Sequence, residues 1–296
     1  MKYYAGIDIG GTNIKAGIVD ETGKILIEDS IPTGADRPQD IVLKDIIAQV
    51  KGLAEKSGVA LSGVGMGSPG MIDSERGIVI YNNNLGWRNF AIGPAVSEAL
   101  GVPATLENDA DAAALGEVVS GCAKGAKRAL IITLGTGVGS GFVIDGRIFR
   151  GCEFGHMVIV RGGRPCTCGR KGCFESYCSA TGLINMTREA GITEADGTVN
   201  GRTVFDAADN GSSKAQDIID DYTGYLACGL ANLINGLLPE VVGLGGGIAK
   251  QGERLLAPLR EKLKEEIYKG LSLPRIVSCE LGYKAGLIGA AMSARQ

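Results

Sequence analysis

Residues 3–31 read "YYAGIDIGGTNIKAGIVDETGKILIEDSI", and the fold turns on how the glycines at 10 and 11 are taken. An apolar run, "YYAGIDI", enters the polar turn "GGTN", and a second run, "IKAGIVD", leaves it; after "ETGK" a third, "ILIEDSI", follows. Short β-branched runs joined by tight polar turns form an antiparallel meander. A dinucleotide-binding fingerprint needs its glycines to lead from a strand into a helix, and here strand-like sequence follows Gly11 directly. The glycine turn therefore joins strand to strand.

The same plan returns at residues 129–151, "ALIITLGTGVGSGFVIDGRIFRG", where a strand ending near Leu134 enters "GTG", a second crosses "SGFVI", and "DG" turns into a third short run. One such turn is no more than a hairpin. Two of them, each following a strand and each with a hydroxyl beside its glycines, suit a phosphate, because exposed N–H groups and small residues admit an anion closely.

Between and after the ribbons the pattern is α/β. Leu43, Ile46, Ile47, Val50 and Leu53 recur at helical spacing, "LSGVGMGSPG" reads as a buried strand running into a loop, and "AIGPAVSEAL" as a helix. "VPATLE" is a strand and "NDADAAALGEVV" a helix. Further on, "DDYTGYLACGLANLINGLL" is a long helix, "EVVGLGGGIA" a strand and glycine loop, and "GERLLAPLREKLKEEIYKG" a helix that Pro258 either interrupts or starts. These elements predict two α/β lobes. The first covers residues 1–117, joined by a C-terminal helix over 284–296; the second covers 118–283 and includes a metal-binding segment at 153–175.

The 296 residues, 45% of them hydrophobic, can bury a large core, and a formal charge of -3 supplies no broad attraction for nucleic acid or an anionic membrane. The start has no basic, apolar and small-residue segments in signal-peptide order, and "AGLIGAAMSAR" is too short to cross a bilayer, so the expected location is the cytoplasm. A chain of this length needs no disulfide framework despite its eight cysteines. Cys122, Cys228 and Cys279 lie in apolar or Gly-rich stretches and read as small buried hydrophobes; the roles of Cys152 and Cys178 stay open.

Two places carry chemistry. In "ENDADAAALGE", residues 107–117, Asn108 and Asp109 sit where strand gives way to helix. A carboxylate there can simply cap the helix. It can also accept a proton from a substrate hydroxyl that Asn108 orients, which is the positioning that phosphoryl transfer to an alcohol requires. In "GHMVIVRGGRPCTCGRKGC", residues 155–173, the chain's single histidine and three cysteines lie within nineteen positions. Imidazole and thiolates are a zinc ligand set, although C-x-C-x4-C is tighter at its first pair than a finger knuckle.

In order along the chain, "DIGGTNIKAGIVD", "NNLGW", "ENDADAAALGE", "LGTGVGSG", "CEFGHM", "CTCGRKGCFESYCS" and "GLGGGIA" resemble the ROK family of bacterial sugar kinases and repressors. The resemblance implies a two-lobed, actin-like (ribonuclease H-like) ATPase fold with a central cleft. It implies ATP-dependent phosphorylation of D-glucose at the 6-hydroxyl, with other hexoses or N-acetylhexosamines as rivals (fructose, mannose, N-acetylglucosamine, N-acetylmannosamine). A sugar-responsive repressor is the remote alternative, disfavoured because the first strand starts at Tyr3, which leaves no place for a helix-turn-helix module, and because Asp109 is present. By the same resemblance Asp109 is the catalytic base, and Asn83, Asn108, Asp109, Glu153, His156 and Glu175 contact the sugar. Asp8, Gly10, Gly11, Thr12 and Lys15 serve ATP and Mg2+; Gly135, Thr136 and Gly137 form the second phosphate loop, and Gly245, Gly246 and Gly247 the adenosine side. His156, Cys166, Cys168 and Cys173 hold a structural Zn2+, and the chain assembles as a homo-oligomer, a dimer or tetramer.

Overall fold

The computed structural model describes residues 1–295, so the last position of the expected 284–296 helix lies outside the described residues. The chain divides into two compact units. The first comprises Met1–Lys127, Gly141–Arg150 and the segment from Glu280 onward; the second comprises Arg128–Ser140 and Gly151–Cys279.

The first unit opens with the expected meander, β1 (Tyr3–Ile9), β2 (Asn13–Asp20) and β3 (Ile25–Pro32). After α1 (Gln39–Ser57) comes β4 (Leu61–Ser68), and after α2 (Ile92–Leu100) comes β8 (Ala104–Asn108), giving a five-stranded sheet in the order β3-β2-β1-β4-β8. It is mixed, with β1, β2 and β3 antiparallel and β1, β4 and β8 parallel. Its core-facing side chains Ile7, Ile9, Ile14, Ile18, Val64, Met66 and Leu106 are fully buried, and α1 adds Val42, Ile46, Val50 and Leu53, the spacing of an apolar helical stripe. A separate small sheet of β5 (Met71–Asp73), β6 (Ile78–Asn82) and β7 (Trp87–Phe90) is not announced by any alternating run of useful length.

Helix α3 (Asp109–Ser120) follows β8 without a loop, and the last helix, α10 (Lys284–Ser293), packs on α3, β1 and β4. Glycine permits that approach. A Cβ on Gly65 of β4 would stand 1.6 Å from the Ala290 carbonyl oxygen, and one on Gly289 1.6 Å from that of Ala112. Strand–helix and helix–helix backbones are thus in direct contact.

The second unit is built on parallel strands β9 (Arg128–Leu134), β12 (Val241–Gly245) and β13 (Arg275–Ser278), and the sheet order is β11-β10-β9-β12-β13, with β10 (Val138–Ile144) and β11 (Arg147–Phe149) as a hairpin. The chain passes from one unit to the other inside β10. The expected break after residue 117 therefore lies ten residues later, and residues 141–150 count with the first unit. The reason is local: a Cβ on Gly141 would lie 2.6 Å from Ala114 Cβ and 2.8 Å from the Ala110 carbonyl oxygen, so the hairpin is pressed onto α3.

Helices α4 (Phe174–Cys178), α5 (Ala180–Glu189), α6 (Thr203–Asp209) and α7 (Ser213–Leu237) lie between the histidine- and cysteine-rich segment and β12. Tyr222 of α7 is fully buried and donates to the Cys178 carbonyl at 2.7 Å. The glycine loop after β12 winds into one helical turn, α8 (Gly246–Ala249). Helix α9 (Glu253–Glu266) runs through Pro258, which neither starts nor interrupts it. Burial of Leu255, Leu256, Leu259 and Leu263 along one stripe offsets the missing N–H. All eight cysteines are free thiols; of the three expected as buried hydrophobes, Cys122 is buried, whereas Cys228 and Cys279 are half-buried. Among the described residues no helix is long and apolar enough to cross a membrane.

Candidate active site

In the first unit, Asp8 and Lys15 face one another across the β1–β2 ladder, beside the turn the two strands share. The turn is braced from inside: Gly10 N–H donates to the Asn13 carbonyl at 3.0 Å, Thr33 N–H to the Thr12 carbonyl at 2.9 Å, and Thr33 Oγ1 to the Gly10 carbonyl at 2.7 Å. The carbonyls of Gly10 and Thr12 are thereby occupied, while the N–H groups of Gly11 and Thr12 make no hydrogen bond among the described residues. Neither glycine has a positive φ, and a Cβ on Gly11 would meet nothing closer than Asn84 Cβ at 3.7 Å. Turn geometry alone thus does not demand a glycine at 11; room beside two unspent donors is what an approaching phosphate needs.

Burial holds the Asp8 carboxyl at about 6, with Asp109 pushing in the same direction and Lys15 opposing. Asn108 is the N-cap of α3, its Oδ1 accepting from Ala110 N–H at 2.9 Å, and Asp109 Oδ1 accepts from the same N–H at 2.9 Å. The N–H of Asp109 itself also bears on the carboxylate, and among the described residues no other residue donates to Asp109 Oδ2. The residue is open to solvent on one side but deep in protein on the others, and this desolvation raises its carboxyl above the usual range, against the lowering effect of the Ala110 N–H. The helix start therefore caps and still leaves one oxygen for chemistry.

Two further features shape this unit. Asn82 is buried and holds the β6–β7 turn, donating to the Pro69 carbonyl at 2.9 Å and accepting from Asn84 N–H at 2.9 Å, whereas Asn83 is exposed. Glu107, the residue before Asn108, is almost fully buried and receives Arg150 bidentately, with Nε to Oε2 at 2.9 Å and Nη2 to Oε1. That ion pair anchors the end of β8 that presents Asn108 and Asp109. A glutamate closing a predicted strand gave no sign of it.

In the second unit the Gly135–Gly137 turn repeats the first turn's logic by different means. Gly135 N–H donates to the Gly137 carbonyl at 3.0 Å, Ala180 N–H to the Gly135 carbonyl at 2.7 Å, and Thr181 Oγ1 to the Thr136 carbonyl at 2.8 Å. The N–H groups of Thr136 and Gly137 make no hydrogen bond among the described residues. Gly135 has no positive φ, and a Cβ there would meet only the Gly137 carbonyl at 4.0 Å. At 245–247 the glycines differ: Gly246 has φ +86° and would drive a Cβ to 2.4 Å from the Leu134 carbonyl, a packing requirement, while a Cβ on Gly247 would meet nothing within 4 Å.

Glu153 precedes a 3-10 turn, Phe154–His156, and accepts from His156 N–H through its carbonyl at 3.0 Å. The four predicted metal ligands converge: one atom each of His156, Cys166, Cys168 and Cys173 lies within 4.8 Å of the others. His156 Nδ1 is 3.6 Å from Cys166 Sγ, and Cys168 Sγ is 3.7 Å from Cys173 Sγ. A tetrahedral zinc with Zn–S of about 2.3 Å and Zn–N of about 2.0 Å requires edges of roughly 3.5–3.8 Å, so these spacings fit the ion. Burial pushes the Cys173 thiol up to about 12, while the Arg170 N–H lowers that of Cys168; a metal would hold both as thiolates.

The ROK family model matches residues 4–296. A glucokinase of Halalkalibacterium halodurans is 36% identical over 321 aligned positions, covering 100% of this chain and 96% of the relative. A ROK hexokinase structure from Thermus thermophilus superposes with TM-score 0.89 at 33% identity, covering 99% of this chain and 98% of the other. A ROK family glucokinase from Streptomyces griseus, solved with glucose and AMPPNP, gives TM-score 0.78 at 34% identity over 99% of each chain. With its two glycine turns, its helix-start aspartate and a likeness that runs its whole length, the chain belongs to the ROK family.

Proposed function

We infer that the protein transfers the γ-phosphoryl group of ATP to the 6-hydroxyl of D-glucose, giving glucose 6-phosphate and ADP. The observation that carries the reading is Asp109, a carboxylate fixed at a helix start by one oxygen, with the other unpartnered and its basicity raised by burial. As the sugar oxygen bonds to the γ-phosphorus and the bond to the β,γ-bridging oxygen breaks, Asp109 Oδ2 takes the hydroxyl proton. The unpaired N–H groups of Gly11, Thr12, Thr136 and Gly137 bind phosphate oxygens, and Asp8, with Lys15, serves the magnesium-bound phosphates. Magnesium supplies charge neutralisation on the nucleotide when bound. Asn83, Asn108, Glu153, His156 and Glu175 meet sugar hydroxyls, and Gly245 to Gly247 lie on the adenosine side.

His156, Cys166, Cys168 and Cys173 hold one zinc. Four protein ligands leave no open position, so its part is structural. Nδ1 is the imidazole nitrogen facing Cys166, which leaves Nε2 for a sugar hydroxyl and fixes the ring that carries it. Elemental analysis should find about one zinc per chain, and Cys168→Ser should lose metal and glucose affinity together; active protein free of metal would reject the assignment. The enzyme works in the cytoplasm, where ATP and free thiols coexist, and as a homo-oligomer, dimer or tetramer, which sedimentation would read directly.

Specificity is tested by kcat/KM for glucose, mannose, fructose, N-acetylglucosamine and N-acetylmannosamine side by side with Mg-ATP. Glucose should lead, because hydroxyl acceptors and donors left unmatched by another sugar cost about 1–3 kcal/mol each. An N-acetylhexosamine ahead of glucose would overturn the substrate while leaving the kinase reading intact.

A further inference from the structure

Glu175 lies in the first turn of α4, two residues after the ligand Cys173, and its two oxygens point to different places. Oε2 accepts from Val138 N–H at 3.0 Å, directly behind the phosphate turn, and sits where a Cβ on Gly137 would come within 2.3 Å of it. Oε1 accepts from Thr167 Oγ1 at 3.2 Å and from the Cys166 thiol at 3.7 Å. Thr167 stands between the ligands Cys166 and Cys168. One carboxylate thus joins the metal-binding segment to the turn, and the turn "GTG" itself contains no charged residue.

Resting on the metal and phosphate reading above, we propose that Glu175 is a positioning residue for the Gly135–Gly137 turn and that the metal-binding segment sets nucleotide affinity through it. The physical route is short. By fixing Val138 N–H, Oε2 fixes the plane of the preceding peptide, and with it the direction in which Thr136 and Gly137 present their unpaired N–H groups. In the zinc-loaded state Cys166 is a thiolate with no proton to give, so Thr167, fixed between two ligands, holds the other oxygen, and a segment that loses its metal loosens Thr167 and with it the carboxylate that aims the turn. The same small Gly137 that admits a phosphate on one side admits Glu175 on the other.

The test measures the dissociation constant of Mg-AMPPNP by calorimetry with no sugar present, which separates this role from any sugar contact of Glu175. Glu175→Ala should weaken AMPPNP about tenfold, whereas Glu175→Gln, which keeps an acceptor for Val138 N–H, should stay within about twofold of wild type. Stripping zinc with a chelator should weaken AMPPNP in wild type but add less than about twofold in Glu175→Ala, as two changes on one pathway do. If Glu175→Ala does not fold, Glu175→Asp, which keeps the charge and loses the reach, should weaken binding by at least about threefold. Unchanged AMPPNP affinity in the Ala or Asp variant overturns the proposal, as does an equal effect of zinc removal with and without Glu175. Protein shown by elemental analysis to hold no zinc ends the metal reading alone, and the Ala and Gln variants still decide whether the carboxylate aims the turn.

Discussion

The two glycine turns have the same sequence logic and opposite support. At Gly10–Thr12 the charges are in the hairpin itself, with Asp8 facing Lys15 across the ladder and Thr33, just past β3, closing the turn. At Gly135–Gly137 the turn is uncharged, and the segment after Cys173 supplies its ties through Glu175, Ala180 and Thr181. Both end in the same state, two consecutive N–H groups without a hydrogen bond among the described residues. The charges beside the first turn are ones that a reader of "DIGGTNIK" already sees, with Thr33 tied in from 23 positions away, whereas the side-chain ties of the second come from 37 and 45 positions away.

The largest effect expected is on the charged side. Asp109→Asn removes the proton acceptor with little change of shape, so turnover should fall by about 10²–10⁴-fold while glucose binding, followed by calorimetry, stays within a few-fold. Near-normal turnover would remove Asp109 from the base role and leave the helix-cap reading. The next effect compares the turns directly. Gly11→Ala and Gly135→Ala should each leave thermal stability within about 0.5 kcal/mol of wild type yet weaken AMPPNP several-fold, because the space beside the donors belongs to the ligand. Gly246→Ala, which meets the Leu134 carbonyl at φ +86°, should instead lower stability outright. A stability loss at Gly11 or Gly135 as large as at Gly246 would mean that folding, not phosphate, explains those glycines.

The smallest effect is a pH dependence of stability in substrate-free and magnesium-free protein. Asp8 binds its proton more tightly folded, at about 6, than unfolded, at 3.8, so folding loses stability as pH rises through that window and the loss is complete above it. Asp8→Asn should therefore raise the melting temperature by roughly 5 °C near pH 8, with the gain fading to nothing near pH 4. A gain independent of pH would show that packing, not charge, separates the two side chains.

Much of this was legible in the sequence for a physical reason: the decisive signals are local. Both ribbons announce themselves because β-branched runs flank a glycine turn, the helix start at Asp109 because a strand pattern changes to a helical one at that residue, and the convergence of His156, Cys166, Cys168 and Cys173 because the four crowd one segment. What was missed is long-range or short. Glu175 meets Val138 across 37 positions and Arg150 meets Glu107 across 43, and single side chains at such separations leave no period to read. Strands β5 to β7, three to five residues long, are too brief to show alternation. Residues 141–150 count with the first unit because Gly141 packs on α3, a contact no composition shift marks. Pro258 misled because tertiary burial of a leucine stripe outweighed a local helix penalty.

The most direct test of the account is the stoichiometry of purified protein supplied with Mg-ATP and glucose, with ADP and glucose 6-phosphate both quantified. The account predicts one ADP per glucose 6-phosphate, negligible ADP without sugar, and loss of both products in Asp109→Asn. Absence of sugar-dependent ADP from folded, zinc-loaded protein, or full activity without the Asp109 carboxylate, would contradict it.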